Sequence, residues 1–521
     1  MAPLPDAPAS AESLRKMSVP PGKVSLEASP EGPMSAYIRS VGSLATSSDS
    51  KADDDAEQAE RKLGEILQAL TSESWQRLEL HEVERRVFVH VLELGLLLLR
   101  AFLAKRGSGR PARLVSDGRT IPYHSQKTTT YFSIFGKLVI SRAYFWSESS
   151  GGGVCPLDAE LNLPARQYSY FLQEFATLFA TRDAYEKVTD VLERVFGVKL
   201  WKQGTEILVR ETGAEVQAFY EQKGPVPPKS EGAILVNGAD GKGVPIRRPE
   251  KVRKTIRRTS GIKRNKKKVS IVSAVYTIDP RPRTPADVVA SLFNDEPTDR
   301  RVDPASPKNK RLRAKFGLAA EAFEEMRRHN EERSPRDHST RVLLMDGEKR
   351  MIEKAALPQY DDWTKILDFL HVAQYIWDAG VALHGEGKAD GWVRTNMLRV
   401  LSGESAAVAD DVETAMLNRG RPSKVLTRVC RYLRANEARM RYDEYLAAGL
   451  PIATGVVEGA CCTLVKDRTG RSAMRWSAEG AQAVLELRAV DQNGDWTAFW
   501  AWFTKSEHRR LYPHRLKKVA A

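Results

Sequence analysis

Apolar side chains recur every three or four positions through residues 56–105, as Leu63, Ile66, Leu67 and Leu70 and then Val87, Val91, Leu94 and Leu98. That is the helical period, and it predicts two helices packed on each other. Residues 128–146 switch to β-branched and aromatic side chains, with Phe135, Gly136 and Lys137 placed to turn the chain, which predicts a β-hairpin. Residues 165–222 return to the helical period. Within them, residues 184–209 hold two amphipathic runs around Gly197, a pattern shared by a DNA-reading helix-turn-helix and an ordinary helical hairpin.

After a Pro-rich joint at residues 224–230 the chain reads as strands: AILVNGAD, then KVSIVSAVYTI, the apolar run at 341–346 and a fourth run at 365–370. Helical sequence follows the last two, and this alternation predicts an α/β sheet core. Asn237 and Gly238 stand where a central strand should be apolar, so the strand register before Asp240 is the weak point of that reading. Residues 385–447 are helical and polar with no strand signal, which predicts a helical insertion into the core, and there is no internal repeat. The expected organisation is therefore a leader at 1–55, a helical and β-hairpin DNA-binding region at 56–223, a core at 231–384 resumed at 448–510, the insertion at 385–447 and a basic tail at 511–521. The leader is rich in Pro, Ala, Ser and acidic residues and ends in Asp53, Asp54 and Asp55, a composition that predicts disorder.

A chain of 521 residues is long enough for more than one core. Its 81 Lys and Arg against 67 Asp and Glu leave a net charge of +14, which points to a polyanionic partner, nucleic acid first. The four cysteines, Cys155, Cys430, Cys461 and Cys462, form no CxxC pair, so neither a disulfide framework nor a structural zinc is indicated, in keeping with a reducing interior. No signal peptide is expected, and no membrane span, because His90, Glu93 and Arg100 break the most apolar run at 87–103.

Asp240 closes a strand before a Gly-rich turn, and Asp346 closes the strand VLLM before Gly347, so two carboxylates stand at strand ends of one α/β domain. Glu458 opens a helix-period stretch that can carry it across the sheet. Two Asp and one Glu are hard oxygen ligands suited to Mg2+, and a pair of such ions cuts phosphodiesters. Lys466 lies about two turns beyond Glu458, followed by Arg468, Arg471, Arg475 and Trp476, all able to grip DNA. In residues 247–268, twelve of twenty-two side chains are Lys or Arg, including Arg247, Arg248, Arg257, Arg258, Lys263, Arg264, Lys266 and Lys267, and only Glu250 is acidic. A phosphate backbone is the natural ligand of such a run, although a solvated loop has the same composition. Asp368 and His371 could place an acid beside an imidazole, or His371 could simply be packed.

The wording DGKGVP at Asp240, LLMDGE at Asp346, DFLH at Asp368 to His371, and TGVVEGACCTLVKDRTGRSAMRW at 454–476 resembles the ISKra-type bacterial insertion-sequence transposases, a family similar to the Mutator-like superfamily. The resemblance covers roughly residues 107–510 and is most specific around Glu458. It implies an RNase H-like mixed sheet flanked by helices and interrupted by a helical insertion, with Asp240, Asp346 and Glu458 in the DDE roles and two Mg2+ ions as cofactor, Mn2+ able to substitute. It further implies double-stranded DNA as partner, both element ends and target, a homo-oligomer in the DNA complex, and a bacterial cytoplasmic location. Asp368 and His371 fall at the family's short acid/His motif as accessory residues. A catalytically inactive DNA-binding relative and another RNase H-like nuclease are the alternatives.

Overall fold

In a computed structural model of the chain, the strand-like runs beyond residue 230 assemble into one five-stranded mixed sheet. The structure describes residues 50–116, 119–148, 152–224, 231–247, 267–293, 306–333, 340–347, 359–420, 422–471, 474–513 and 517–519. Strands β1 (Ile234–Pro245), β2 (Lys267–Ile278) and β3 (Lys308–Lys315) form an antiparallel meander. On the other side of β1, β4 (Thr340–Met345) and β5 (Thr364–Leu367) add in parallel, so the order is β5-β4-β1-β2-β3.

The strand period of two sends alternate side chains to opposite faces. Val236, Val342, Leu344 and Ile366 enter the large core, whereas Leu235, Ala239, Leu343 and Met345 meet Phe323, Met326 and Tyr360 on the other side. Asn237 and Gly238 do not break β1, because each meets a specific need of its own face. Fully buried Asn237 donates from Nδ2 to the Tyr360 hydroxyl at 2.9 Å, which donates on to the Phe323 carbonyl. A Cβ at Gly238 would lie 2.8 Å from Val457 Cγ2, so the missing side chain lets the segment carrying Glu458 lie directly on the sheet. The expected strand at 365–370 is shorter: it stops at Leu367, and Asp368 caps the following helix by accepting from Leu370 N.

Helices α1 (Tyr170–Arg182), α2 (Tyr185–Phe196), α3 (Lys202–Ala214) and α4 (Val216–Gln222) precede the sheet in sequence but share its large core. Leu172, Val188, Leu192, Leu208, Val209 and Phe219 belong to the same buried cluster as Val236 and Leu344. The Pro-rich joint therefore does not divide two compact units; one unit runs from Leu99 to Ala521. Helix α5 (Ala319–Glu332) fills the β3 to β4 connection on the smaller core. Between β5 and Glu458 stand α6 (Phe369–His384), α7 (Asp390–Leu401), α8 (Ser405–Asn418) and α9 (Lys424–Asn436), so the stretch 385–447 is mainly helical. Helix α10 (Gly455–Ala460) carries Glu458, and α11 (Ala478–Gln492) and α12 (Trp496–Leu511) close the core with Leu485, Leu487, Phe499 and Phe503.

The expected hairpin is present but longer, pairing Tyr123–Ser133 with Gly136–Ser147. Its two-residue turn is Ile134 and Phe135 rather than 135–137, closed by Ser133 Oγ, which accepts from Phe135 N and donates to Gly136 O. In the basic tail, Lys517–Val519 adds a strand to Arg113–Ser116.

The other unit, Met1–Leu98, contains the helix Ser50–Thr71 and the start of Leu80–Arg106, so two helices form where the period predicted them. Most of the expected disordered leader lies outside the described residues, but its last residues belong to the helix that starts at Ser50. Trp75 stacks on His90 at 5.9 Å, and Lys62 pairs with Glu93 at 2.5 Å, fastening the two helices. Leu80–Arg106 is long and apolar enough to cross a membrane by length and composition, and none of its residues is buried. The polar residues His90 and Glu93, read from sequence as interruptions, are the ones engaged by the first helix and its turn.

Candidate metal centre and nucleic-acid interface

Parallel register sets the acids level with one another. Gly238 of β1 pairs with Leu344 of β4, and two residues further along each chain stand Asp240 and Asp346. Leu367 of β5 pairs with Met345, which brings Asp368 level with Asp346. Adjacent strands lie about 4.8 Å apart, so Asp346 and Asp368, each just past the carboxyl end of its strand, stand level with Asp240. Asp240 itself does not close its strand as expected but lies mid-strand, where β1 has run past the end of β4 and stays paired with β2 through Pro245. Asp240 shares its face with Val236 and Gly238, the side on which Val457 and hence α10 is packed.

Each acid is held by a different device. Asp240 Oδ1 accepts from Gly241 N at 2.5 Å, and Oδ2 accepts from the Cys461 thiol at 3.2 Å. Asp346 is fixed through its backbone, its carbonyl accepting from Tyr432 Oη at 3.0 Å. Tyr432, on α9, stacks flat against Tyr375 of α6 at 3.9 Å, so the helical insertion buttresses the second acid. A side chain at Gly347, whose φ is +85°, would strike the Tyr432 ring, which explains the glycine after Asp346.

Asp368 is fully buried and saturated: Oδ1 accepts from Leu370 N and Thr454 N, and Oδ2 from Thr454 Oγ1 at 2.8 Å and His371 Nδ1 at 2.6 Å. It therefore orients His371 and ties α6 to the threonine just before α10, rather than offering free oxygens. His371 Nδ1 lies 3.9 Å from Glu458 Oε1, and one ligand atom each from Asp368, His371 and Glu458 lies within 4.8 Å of the others. The hydrogen bond to Asp368 raises the His371 pKa, and the charges of Asp368, Asp346 and Glu458 add to it against burial. Burial, then Asp368 and Asp240, push the Glu458 carboxyl above its ordinary range, against the pull of His371 and Lys242. Asp240 thus acts on Glu458, and Asp346 on His371, and such carboxylates are hard oxygen donors of the kind that divalent cations take.

The sign of the histidine shift has a direct consequence. The His371–Asp368 pair contributes its stability in full below the ordinary histidine pKa and loses it as pH rises through the raised folded value. Asp368→Asn is expected to bring the His371 titration, followed by NMR of its ring protons, down toward the ordinary value. An unchanged titration would show that Asp368 does not hold the proton.

The segment carrying Glu458 continues from α10 into a π-helical stretch, Cys461–Lys466, and a last turn, Asp467–Thr469. Such widened turns leave carbonyls without their helical partners and concentrate at functional sites. Buried Arg488 of α11 takes up two of them, donating to Leu464 O at 2.8 Å and to Thr463 O, and it also reaches Thr181 O at the end of α1.

Among the expected DNA contacts, Lys466, Arg471, Arg475, Arg247 and Lys267 are exposed. Arg248, Arg257, Arg258, Lys263, Arg264 and Lys266 lie outside the described residues. The foot of the basic run is nevertheless located: Arg247 N donates to Trp476 O at 2.7 Å and Trp476 N to Pro245 O, which places it beside Arg475. Arg468 and Trp476 are corrected by the structure, being 1% and 7% exposed. Arg468 donates from Nε to Ala180 O at 2.9 Å and lies over the Trp476 ring at 4.5 Å, so both serve packing: the last helical turn faces Arg468 inward, and Trp476 is drawn in by its bridge to Ile246. The helix pair α2 and α3 forms about Gly197 as expected, but Thr205, Leu208, Val209 and Thr212 bury one face of α3. Arg210 of its outer face pairs with Glu479.

Sequence reasoning missed Cys461, Thr454, Lys242 and Tyr432. The spacing of Cys461 three residues after Glu458 puts both on one helical face and was available as a signal. Nothing in the sequence links Tyr432 to Asp346.

No protein-family profile and no curated protein matches the chain. Among solved structures it is similar to the Drosophila P element transposase strand transfer complex, at a TM-score of 0.24 and 8% identity over 65% of this chain and 81% of that chain. A likeness that slight carries no argument, and what stands on the geometry is a mixed α/β core of five strands with helices around it, in which Asp240, Asp346 and Asp368 stand level on three neighbouring strands or just past their ends.

Proposed function

We propose that this chain is a DNA transposase, of the ISKra type, that cuts and re-joins phosphodiester bonds with the acidic triad Asp240, Asp346 and Glu458. The observation that carries the reading is the level placement of Asp240 and Asp346 on neighbouring parallel strands, with the segment of Glu458 packed over Gly238 on the same face. The meander followed by two parallel strands supports an RNase H-like core, and the helices between β5 and Glu458 support the family's interrupted form. Two Mg2+ ions, or Mn2+ in their place, would stabilise the attacking and leaving oxygens when held by the three carboxylates.

The protein's own groups divide the remaining work. Asp240 and Asp346 are rigid because a sheet sets their separation, whereas Glu458 is carried by a helix that Gly238 admits. His371 holds a proton beside Glu458, with Asp368 fixing its ring, and offers a donor to a substrate phosphate. Arg471, Arg475, Lys466 and the foot of the basic run supply positive charge for double-stranded DNA, both element ends and target. A homo-oligomer on DNA is part of the reading, since two ends must be held together.

The test is Mg2+-dependent cleavage and joining of DNA bearing the element's ends, with Asp346→Ala as control. Cutting followed by joining in the wild type alone is expected. Cutting without joining would favour a different nuclease, and binding without cutting a purely DNA-binding protein.

A further inference from the structure

Cys461 touches the candidate centre but is outside the acidic triad. Its sulfur is 3.2 Å from Asp240 Oδ2, and the residue is 2% exposed. It stands three residues after Glu458, on the same helical face, at the start of the π-helical stretch. One thiol therefore links the helix that carries the third acid to the strand that carries the first.

We propose that Cys461 is a positioning residue for metal binding: its S–H donates to Asp240 Oδ2, fixing the Asp240 carboxylate and with it the spacing of Asp240 to Glu458. The inference rests on the metal-centre reading above. In this pair the thiol is the donor, because a carboxylate oxygen accepts. Gly241 N fixes the other oxygen, so the carboxylate is gripped from the strand and from the helix. Donors that orient a ligand in this way are worth about 10- to 100-fold in metal affinity.

The probe is Mn2+ binding to the full chain, read by electron paramagnetic resonance without DNA, so that no turnover is needed. Cys461→Ala and Cys461→Val remove the donor, the second with little change in volume, and Cys461→Ser keeps it. The expected result is Mn2+ binding weakened about 10- to 100-fold in Ala and Val and restored to within about threefold in Ser, at similar melting temperature. Ala and Val variants that bind Mn2+ as the wild type does, while Asp240→Asn loses it, would overturn the positioning role and leave the metal centre standing. Loss in Ser equal to that in Val would also overturn it, since packing and not donation would then matter. Equal binding by wild type and Asp240→Asn would remove the centre itself, and the proposal with it.

Discussion

Asp240→Asn is expected to lower Mg2+-dependent DNA cleavage by about 1,000-fold or more, with DNA affinity and melting temperature nearly unchanged. The reason is local: Asn keeps the shape of the side chain within β1 but withdraws the negative charge a metal needs. A loss of several kcal/mol of charge stabilisation corresponds to at least three powers of ten in rate, since each 1.36 kcal/mol is tenfold. Glu458→Gln should cost about as much, and the double variant little more than either, because the carboxylates act as one unit. Single-turnover cleavage of labelled element ends measures all three. Multiplicative losses would show that Asp240 and Glu458 serve separate functions, and an Asn variant as fast as the wild type would remove Asp240 from the site.

The largest expected effect on stability lies away from the acids. Arg313 of β3 is 5% exposed and donates to Glu486 Oε2 of α11 at 2.8 Å and to Gln217 of α4, with Glu325 of α5 at 3.3 Å. Glu486→Ala leaves a buried guanidinium short of its nearest counter-charge, and breaking such a pair costs about 3–5 kcal/mol. The urea midpoint should fall accordingly. Replacing both partners, as Arg313→Met with Glu486→Leu, should recover much of the loss, because the cost comes from the orphaned charge and not from the missing contact. A single variant as stable as the wild type would mean that Glu325 alone satisfies Arg313.

What the sequence made legible follows from period and end signals. The strands β1, β2 and β4 read directly from their apolar runs, and Asp240 and Asp346 stood out because a glycine follows each, but the glycines after Asp240 read as a turn while β1 continues through them to Pro245. The boundary at β5 misread because Phe369 and Leu370 continue an apolar run while Asp368 caps a helix, and apolar composition does not distinguish the two. The partition at the Pro-rich joint failed for a different reason: α1–α4 bury their apolar faces in the sheet's own core, a choice of partner that no local pattern encodes. Arg468 and Trp476 read as DNA contacts because charge and aromaticity mark binding surfaces, yet Arg468 spends its donors on the end of α1. Cys461 escaped notice because the contact that gives it meaning crosses from helix to strand over a long sequence separation.

The two buried arginines that clasp the end of α1 also bear, on the proposed transposase reading, on how DNA would be measured. Arg468 reaches Ala180 and Arg488 reaches Thr181, both from segments adjoining the Glu458 helix. Helices α2 and α3, which follow directly, are therefore anchored to the acids through the fold rather than hung from a tether. A tethered reading head lets the chemistry fall at a range of distances from the sequence it recognises. A clasped one acts as a ruler: on the proposed transposase reading, a duplex held against α2 and α3 would meet the acids at one fixed offset.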